Sequence, residues 1–290
     1  MLFFTVSAAT KPSLNQLERE LPEGLLVDSA WLEREGYYGS LRKKYVDHGW
    51  LERPVRGVYR RPRGTLTWEQ AVVSLQILLR RPIVVGGRTA LRLQGFDHYV
   101  SMGEPQDVHL YGEKAPPAWL FKLPVDNRLV FHNAKTLFED EPITRSLATL
   151  SIDVRDGRFG IANHEGLRQI PWGQWQWPLT LSTPERAFLE ALDELPRRET
   201  FHQMDMLFEG ATQLSPRRLQ ALLESCRSVK VKRLFFWFAD RHGHAWRPRI
   251  DASMVDLGSG KRMVVRGGRF DPTYRITVPR EPLDRAADDE

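Results

Sequence analysis

The sequence predicts an α+β protein in two parts, a small winged helix-turn-helix followed by a larger mixed domain. Three observations carry that expectation. Residues 36–63 read as a turn, a basic helix and a basic hairpin. Residues 107–132 alternate apolar and polar with period two, the signature of strands. Residues beyond 182 carry several amphipathic helices with recognisable starts and stops.

In the first 35 residues, Leu14, Leu17 and Leu21 have helical spacing, and Ser13 after Pro12 is a candidate cap. Pro22-Glu23-Gly24 breaks that helix. Ser29 to Glu35 reads as a second helix with Trp31 and Leu32 inward, ended by Gly36. From Gly39 a third helix follows, with Leu41, Tyr45 and His48 on one face and Gly39, Ser40, Arg42, Lys43 and Asp47 on or near the other. Lys44 falls on its flank. Tyr38 stands where a small capping residue is expected. Gly49 stops this helix. Trp50-Leu51 and Val58-Tyr59 then look like paired strands, with Pro54 to Gly57 at the tip and Arg53 and Arg56 projecting.

Charge is concentrated in this stretch. Between Tyr37 and Arg63 there are eight cations and two acids, a local excess of six against five for all 290 residues. A cationic helix followed by a cationic hairpin suits a duplex, the helix in the major groove and the wing on phosphates. The candidate DNA contacts are Ser40, Arg42, Lys43, Lys44, Arg53, Arg56, Arg60, Arg61 and Arg63. A solvated basic face is the plain alternative.

Pro62-Arg63-Gly64 marks a boundary, giving domains 1–63 and 64–290. Beyond it, Thr67 to Gln70 has capping-box spacing ahead of an apolar stripe that Pro82 ends. Ile83-Val84-Val85 reads as a buried strand, and Arg88 to Gln94 as a helix. Strands are expected at 107–111, 118–123 and 128–132. With the aromatic-rich connection 170–177 they make a small antiparallel sheet. Ser182-Thr183-Pro184-Glu185 is a helix start, and further helices follow at 201–209, after Ser215-Pro216, and at 229–240. Two strands close the chain, 262–265 and 274–278, before an acidic tail.

No catalytic or metal-binding constellation stands out, and no cofactor is expected. Gly258-Ser259-Gly260-Lys261 lacks the flanking residues of a phosphate-binding loop, and a strand-to-strand turn is the better reading. Gly86-Gly87 lacks the third glycine of a dinucleotide site, which favours close backbone packing. His242-Gly243-His244, the Asp107 and Glu113-Lys114 set, and the run 139–141 read as polar loops or turns. The single cysteine, Cys226, excludes an internal disulfide and fits a reducing cytoplasm. The first seven residues lack the basic flank of a signal peptide, and no run is long enough for a membrane span. A second basic surface is possible at Lys230, Lys232, Arg233, Arg247, Arg249, Lys261 and Arg262.

Tyr45 to Arg53 with Arg56-Gly57-Val58-Tyr59 resembles the N-terminal winged helix of the AbiEi family, antitoxins of type IV toxin-antitoxin systems. Leu66 to Glu69, Gly86 to Gly95, Thr183 to Ala187, Ser228 to Phe235 and Asp256 to Arg262 resemble later segments of that family, in order. The resemblance implies an antitoxin of an abortive-infection operon, made beside a nucleotidyltransferase-like toxin. It implies repression of the shared promoter through inverted repeats in double-stranded DNA, and a C-terminal domain that neutralises the toxin, with no enzymatic activity. The toxin is not this chain, which has no Gly-Ser followed by an Asp-x-Asp pair. Two alternatives remain: an enzyme acting through the C-terminal domain as a nuclease or toxin modifier, and a module that sequesters a protein partner.

Overall fold

The computed structural model describes residues 13–96, 107–138, 143 and 166–280. The first seven residues, the run 139–141 and the acidic tail therefore lie outside the described residues. The chain divides into two compact units, one of residues up to 81 together with 117–126, the other of the remainder.

The first unit runs α1 (Leu14–Glu20), β1 (Leu26–Asp28), α2 (Ser29–Arg34), α3 (Gly39–Asp47), β2 (Glu52–Val55), β3 (Val58–Arg60) and α4 (Trp68–Val73). Ser13 caps α1 by accepting from the Gln16 amide. Asp28 caps α2 in the same way, 2.8 Å from the Trp31 amide. The strands form an antiparallel sheet in the order β1-β3-β2. This is a helix-turn-helix followed by a hairpin wing. β1, absent from the sequence reading, is three residues long and too short to show periodicity. Leu17, Leu26, Leu32, Tyr37, Leu51 and Val58 fill the core. Each such apolar side chain contributes about 1.5–3 kcal/mol by leaving water.

This unit continues past residue 63. The capping box of α4 forms, with Gln70 Oε1 3.0 Å from the Thr67 amide. One turn later the Ser74 hydroxyl accepts from the Leu26 amide at 2.7 Å and donates to the Gln70 carbonyl. That bond ties α4 to β1, so the segment after Gly64 packs with the winged helix. Residues 118–123, expected as a strand, are instead a 3-10 helix (Ala118–Lys122). Leu120 within it and Leu123 just after it are buried, and a spacing of three suits a 3-10 turn, not a strand.

The second unit centres on a five-stranded sheet of order β6-β5-β4-β8-β7. Its strands are β4 (Ile83–Val85), β5 (Val108–Gly112), β6 (Leu129–Asn133), β7 (Leu167–Trp172) and β8 (Trp177–Ser182). Pairs β4–β5 and β7–β8 are antiparallel, whereas β4–β8 and β5–β6 are parallel, so the sheet is mixed. The aromatic connection is the β7–β8 hairpin, with Trp172 stacked on Trp177 across it and Trp175 exposed. Among the described residues, helices α5 (Gly87–Leu93), α6 (Pro184–Asp193), α7 (Phe201–Glu209), α8 (Pro216–Ser225) and α9 (Val229–His242) pack in and around this sheet. Phe188, Phe201, Phe208, Phe235 and Phe238 interlock between the helices. A small sheet of β9 (Arg262–Met263), β10 (Arg269–Asp271) and β11 (Ile276–Val278) ends the described chain, with β11 in the middle.

Helix α6 starts where the sequence places it, with Thr183 as the cap residue and Pro184 at the first position, and Thr183 makes no side-chain capping bond. Ser182 ends β8 and gives its hydroxyl to Glu190. Glu185 reaches across to the Ser215 amide and Arg218 at the start of α8. Ser182 and Glu185 are thus engaged with tertiary partners.

Candidate nucleic-acid interface

Helix α3 turns Tyr45 inward and leaves Ser40, Lys43, Lys44 and Asp47 exposed. These are positions i, i+3, i+4 and i+7, one stripe of a helix. The stripe carries two cations, one hydroxyl and one acid at its far end. His48 belongs outside, not with the inward set: it is exposed and its ring bonds the Lys44 carbonyl. Two aromatics flank the helix. Tyr38 at its start is 65% exposed and Trp50 just after it is 46% exposed.

The hairpin beside it presents Arg53 and Arg56, both exposed. Its tip is anchored, because the Gly57 carbonyl accepts from the Ser29 amide at 2.9 Å and from the Ser29 hydroxyl. Among the described residues the side chains of Lys43, Lys44, Arg53 and Arg56 have no hydrogen-bond or ion-pair partner. Long cationic side chains held at a surface without a protein acceptor can serve phosphates.

The other four expected contacts are occupied. Arg42 turns toward α2, donating to the Ser29 carbonyl at 3.1 Å and Glu33 at 2.9 Å, with its guanidinium over the Tyr59 ring. Arg60 is only 6% exposed and joins Glu52, its cross-strand neighbour, to the Gly64 carbonyl. Arg61 donates to the Glu18 and Leu21 carbonyls at the end of α1, where cations favour the helix dipole. Arg63 pairs with Glu23 at 2.6 Å. These arginines brace the unit, so the outward set with no protein partner is shorter than the one read from charge alone.

The second basic surface shrinks in the same way. Arg233 is 2% exposed and gives its guanidinium to the carbonyls of Leu257, Gly258, Gly260 and Arg275. Lys230 binds the Asp193 and Leu195 carbonyls, Lys232 is buried, and Arg247 pairs with Asp240 over Phe236. Arg249, Lys261 and Arg262 stay exposed. Gly86 and Gly87 pack as expected. The Gly87 amide donates to Glu190, and a side chain at Gly86 would meet Glu190 and Tyr111 within 2.3 Å.

The strands also assemble a polar chain that neither run showed. His109 Nδ1 lies 2.9 Å from His132 Nε2, and His132 Nδ1 lies 3.1 Å from Glu194, which also pairs with Arg198. Parallel pairing sets His132 opposite Tyr111, two residues from His109 on the same face. Burial and the neighbouring His132 pull His109 down to about 4. Burial alone would raise Glu194, but the hydrogen bond and charge of His132, with Arg198, hold it at about 2. His109 lines a cavity of about 200 Å³ with Arg88, Arg92, Asp107, Arg198 and Glu199. A neutral imidazole this weakly basic is a poor proton acceptor near pH 7. His242 and His244 bond Asp205 and the Phe208 carbonyl, and no metal-binding group of three or more His, Cys, Asp or Glu occurs among the described residues. None of the described helices is long and apolar enough to cross a membrane.

Two family models match in tandem. One, the AbiEi antitoxin N-terminal domain of a transcriptional regulator, covers residues 10–102. The other, the transcriptional regulator AbiEi antitoxin of a type IV toxin-antitoxin system, covers residues 105–279. Among curated proteins none matches. The crystal structure of the RV2827C protein from Mycobacterium tuberculosis is similar with a TM-score of 0.52 at 15% identity, covering 91% of this chain and 88% of that one. At that identity the likeness speaks to fold alone.

Proposed function

The chain belongs to the AbiEi antitoxin family of transcriptional regulators from type IV toxin-antitoxin systems, and from that premise we propose that it is a DNA-binding autorepressor that also neutralises a nucleotidyltransferase-like toxin. It acts in the cytoplasm on inverted repeats in its own promoter. Two copies read the two half-sites, or one reads each in turn. Ser40, Lys43 and Lys44 on α3 face the major groove or its flanking phosphates, and Arg53 and Arg56 hold the backbone beside it. Arg42, Arg60, Arg61 and Arg63 position these groups without touching DNA. Toxin neutralisation belongs to the second unit and calls on no catalysis.

The observation that carries the DNA reading is the set of four partnerless cations on adjoining parts of one winged helix, while neighbouring arginines are consumed internally. Arg53→Ala with Arg56→Ala should weaken binding to the promoter duplex about 100-fold at low salt. The slope of log affinity against log salt should fall by about two, close to one for each lost phosphate contact. The melting temperature should not move. An unchanged salt slope in a folded double variant would remove the wing from the interface.

A further inference from the structure

The loop 258–262, Gly-Ser-Gly-Lys-Arg, lies in the second unit and has no part in the DNA reading above. It wraps the guanidinium of Arg233. The carbonyls of Leu257, Gly258 and Gly260 all point inward to that buried group. A trans peptide sets the next residue's N–H opposite each carbonyl. The amides of Ser259 and Lys261 therefore point away from Arg233, and neither finds an acceptor among the described residues. Gly258 and Gly260 have φ of 62° and 75°, which suits glycine and lets the loop fold this way. Outward backbone amides in such a turn form a concavity for an anion.

The surroundings have the matching charge. Between Asp256 and Arg280 there are six cations and two acids. Asp256 is committed to the Gly258 amide and Asp271 to the Tyr274 amide. Among the described residues Arg233 has no carboxylate partner. Burial first, then the charges of Arg262 and Arg275, push its pKa down, so both of those cations lie within electrostatic reach of it. Beside the loop, the small sheet aligns Phe270, Thr277 and Met263 in one row across its strands. Residues directly opposite across strands share a face. That face is open, with Met263 67% and Phe270 39% exposed, and Lys261 stands over the Phe270 ring.

We propose that this loop and sheet face form a second nucleic-acid site, one that takes a single strand. A backbone phosphate sits on the Ser259 and Lys261 amides between Lys261 and Arg262, and a base stacks against Phe270 and Met263. Cations that track a backbone beside an exposed aromatic platform are the usual means of holding unpaired strands. An acidic protein segment would use the cations but has no base to set on the apolar row.

The test uses the full-length chain carrying Arg53→Ala and Arg56→Ala, so that the wing contributes little. Anisotropy of a labelled single-stranded oligonucleotide should give an affinity that Lys261→Ala with Arg262→Ala lowers at least tenfold. Its salt slope should fall by roughly 1.4, about 0.7 for each contact to a single strand. Phe270→Ala should lower affinity about fivefold with little change in that slope. Both sets of changes, placed in the chain with an intact wing, should leave promoter duplex binding unaltered. Amide resonances of Ser259 and Lys261 should shift with the oligonucleotide, and with a nucleoside monophosphate only at far higher concentration. The proposal is overturned if those amides do not move, if polyglutamate moves them as strongly, or if the loop variants bind the strand as well as the parent.

Discussion

Arg53 and Arg56 stand on a hairpin with no acceptor of their own, whereas Arg186 and Arg233 lie 1% and 2% exposed inside the second unit. Arg186 donates to Glu190, four residues along α6, and rests on the Phe138 ring. Among the described residues Arg233 is held by carbonyls alone. The same side chain serves as a loose external charge in one region and as an internal tie in the other. What separates them is the supply of acceptors: a guanidinium surrounded by carbonyls or a carboxylate is spent on its own fold. Counting cations along a chain does not distinguish the two uses.

The largest expected effect comes from breaking an internal tie. Glu190 is fully buried and accepts from Arg186, the Ser182 hydroxyl and the Gly87 amide. Glu190→Ala removes this buried carboxylate from beside the Arg186 guanidinium and takes the acceptor from the Ser182 hydroxyl and the Gly87 amide. It should cost about 3–5 kcal/mol of stability, read by urea denaturation. Promoter affinity should hold wherever the variant remains folded. A loss below about 1 kcal/mol would mean that Arg186 does not depend on Glu190 and that the contrast between the two regions is overdrawn.

Acid should find the same region. His109 has a folded value of about 4 against an ordinary 6.5. Its pKa is depressed, so its contribution is fully present above pH 6.5 and is lost as pH falls toward 4. By linkage that loss is on the order of 3 kcal/mol. Glu194, also depressed, contributes above its ordinary 4.5 and loses that contribution toward 2. Between pH 6.5 and 4.5 the decline should therefore belong to His109. His109→Asn should flatten the denaturation midpoint over that interval. A parent protein equally stable at pH 7 and pH 4.5 would show that His109 titrates normally.

A smaller effect sharpens the boundary inside the winged helix itself. Arg60→Ala should cost about 1–2 kcal/mol by removing the Glu52 and Gly64 bonds and the packing of its stem. Its salt slope for promoter binding should match that of the parent at a temperature where both are folded. A slope reduced by nearly one would make Arg60 a phosphate ligand and not a brace.

Most of the winged helix was legible because its signals are local. Ser13, Thr67 and Gly49 act at the element ends where they stand, and the basic stripe of α3 follows from helical spacing. What escaped depends on partners distant in sequence. Arg42 and Arg60 could not be told from Arg53 without the positions of Glu33 and Glu52. Residues 118–123 looked like a strand because an apolar run does not reveal which two members are buried. The mixed sheet hides its parallel pairs for the same reason, and with them the meeting of His109 and His132. Gly258-Ser259-Gly260-Lys261, expected as a strand-to-strand turn, instead joins the 3-10 turn Ala252–Met254 to β9, and its amides acquire a direction only through Arg233, 25 residues upstream of Gly258.

Tyr38 gives the smallest effect and the finest division between fold and interface. It occupies the cap position of α3 without a capping bond, and its ring is largely in solvent. A tyrosine there satisfies none of the free amides that open the helix. Tyr38→Ser should supply that acceptor and raise stability by about 0.5–1 kcal/mol. If the ring has no other task, promoter affinity stays level or rises slightly as α3 firms. If the ring lies against a sugar or phosphate at the groove edge, affinity falls while stability rises. That opposite movement would place Tyr38 with Lys43 and Arg53 among the outward-serving side chains, leaving cap strength sacrificed for contact. Loss of stability would instead mean that the ring supports α3 through contacts its 65% exposure does not suggest.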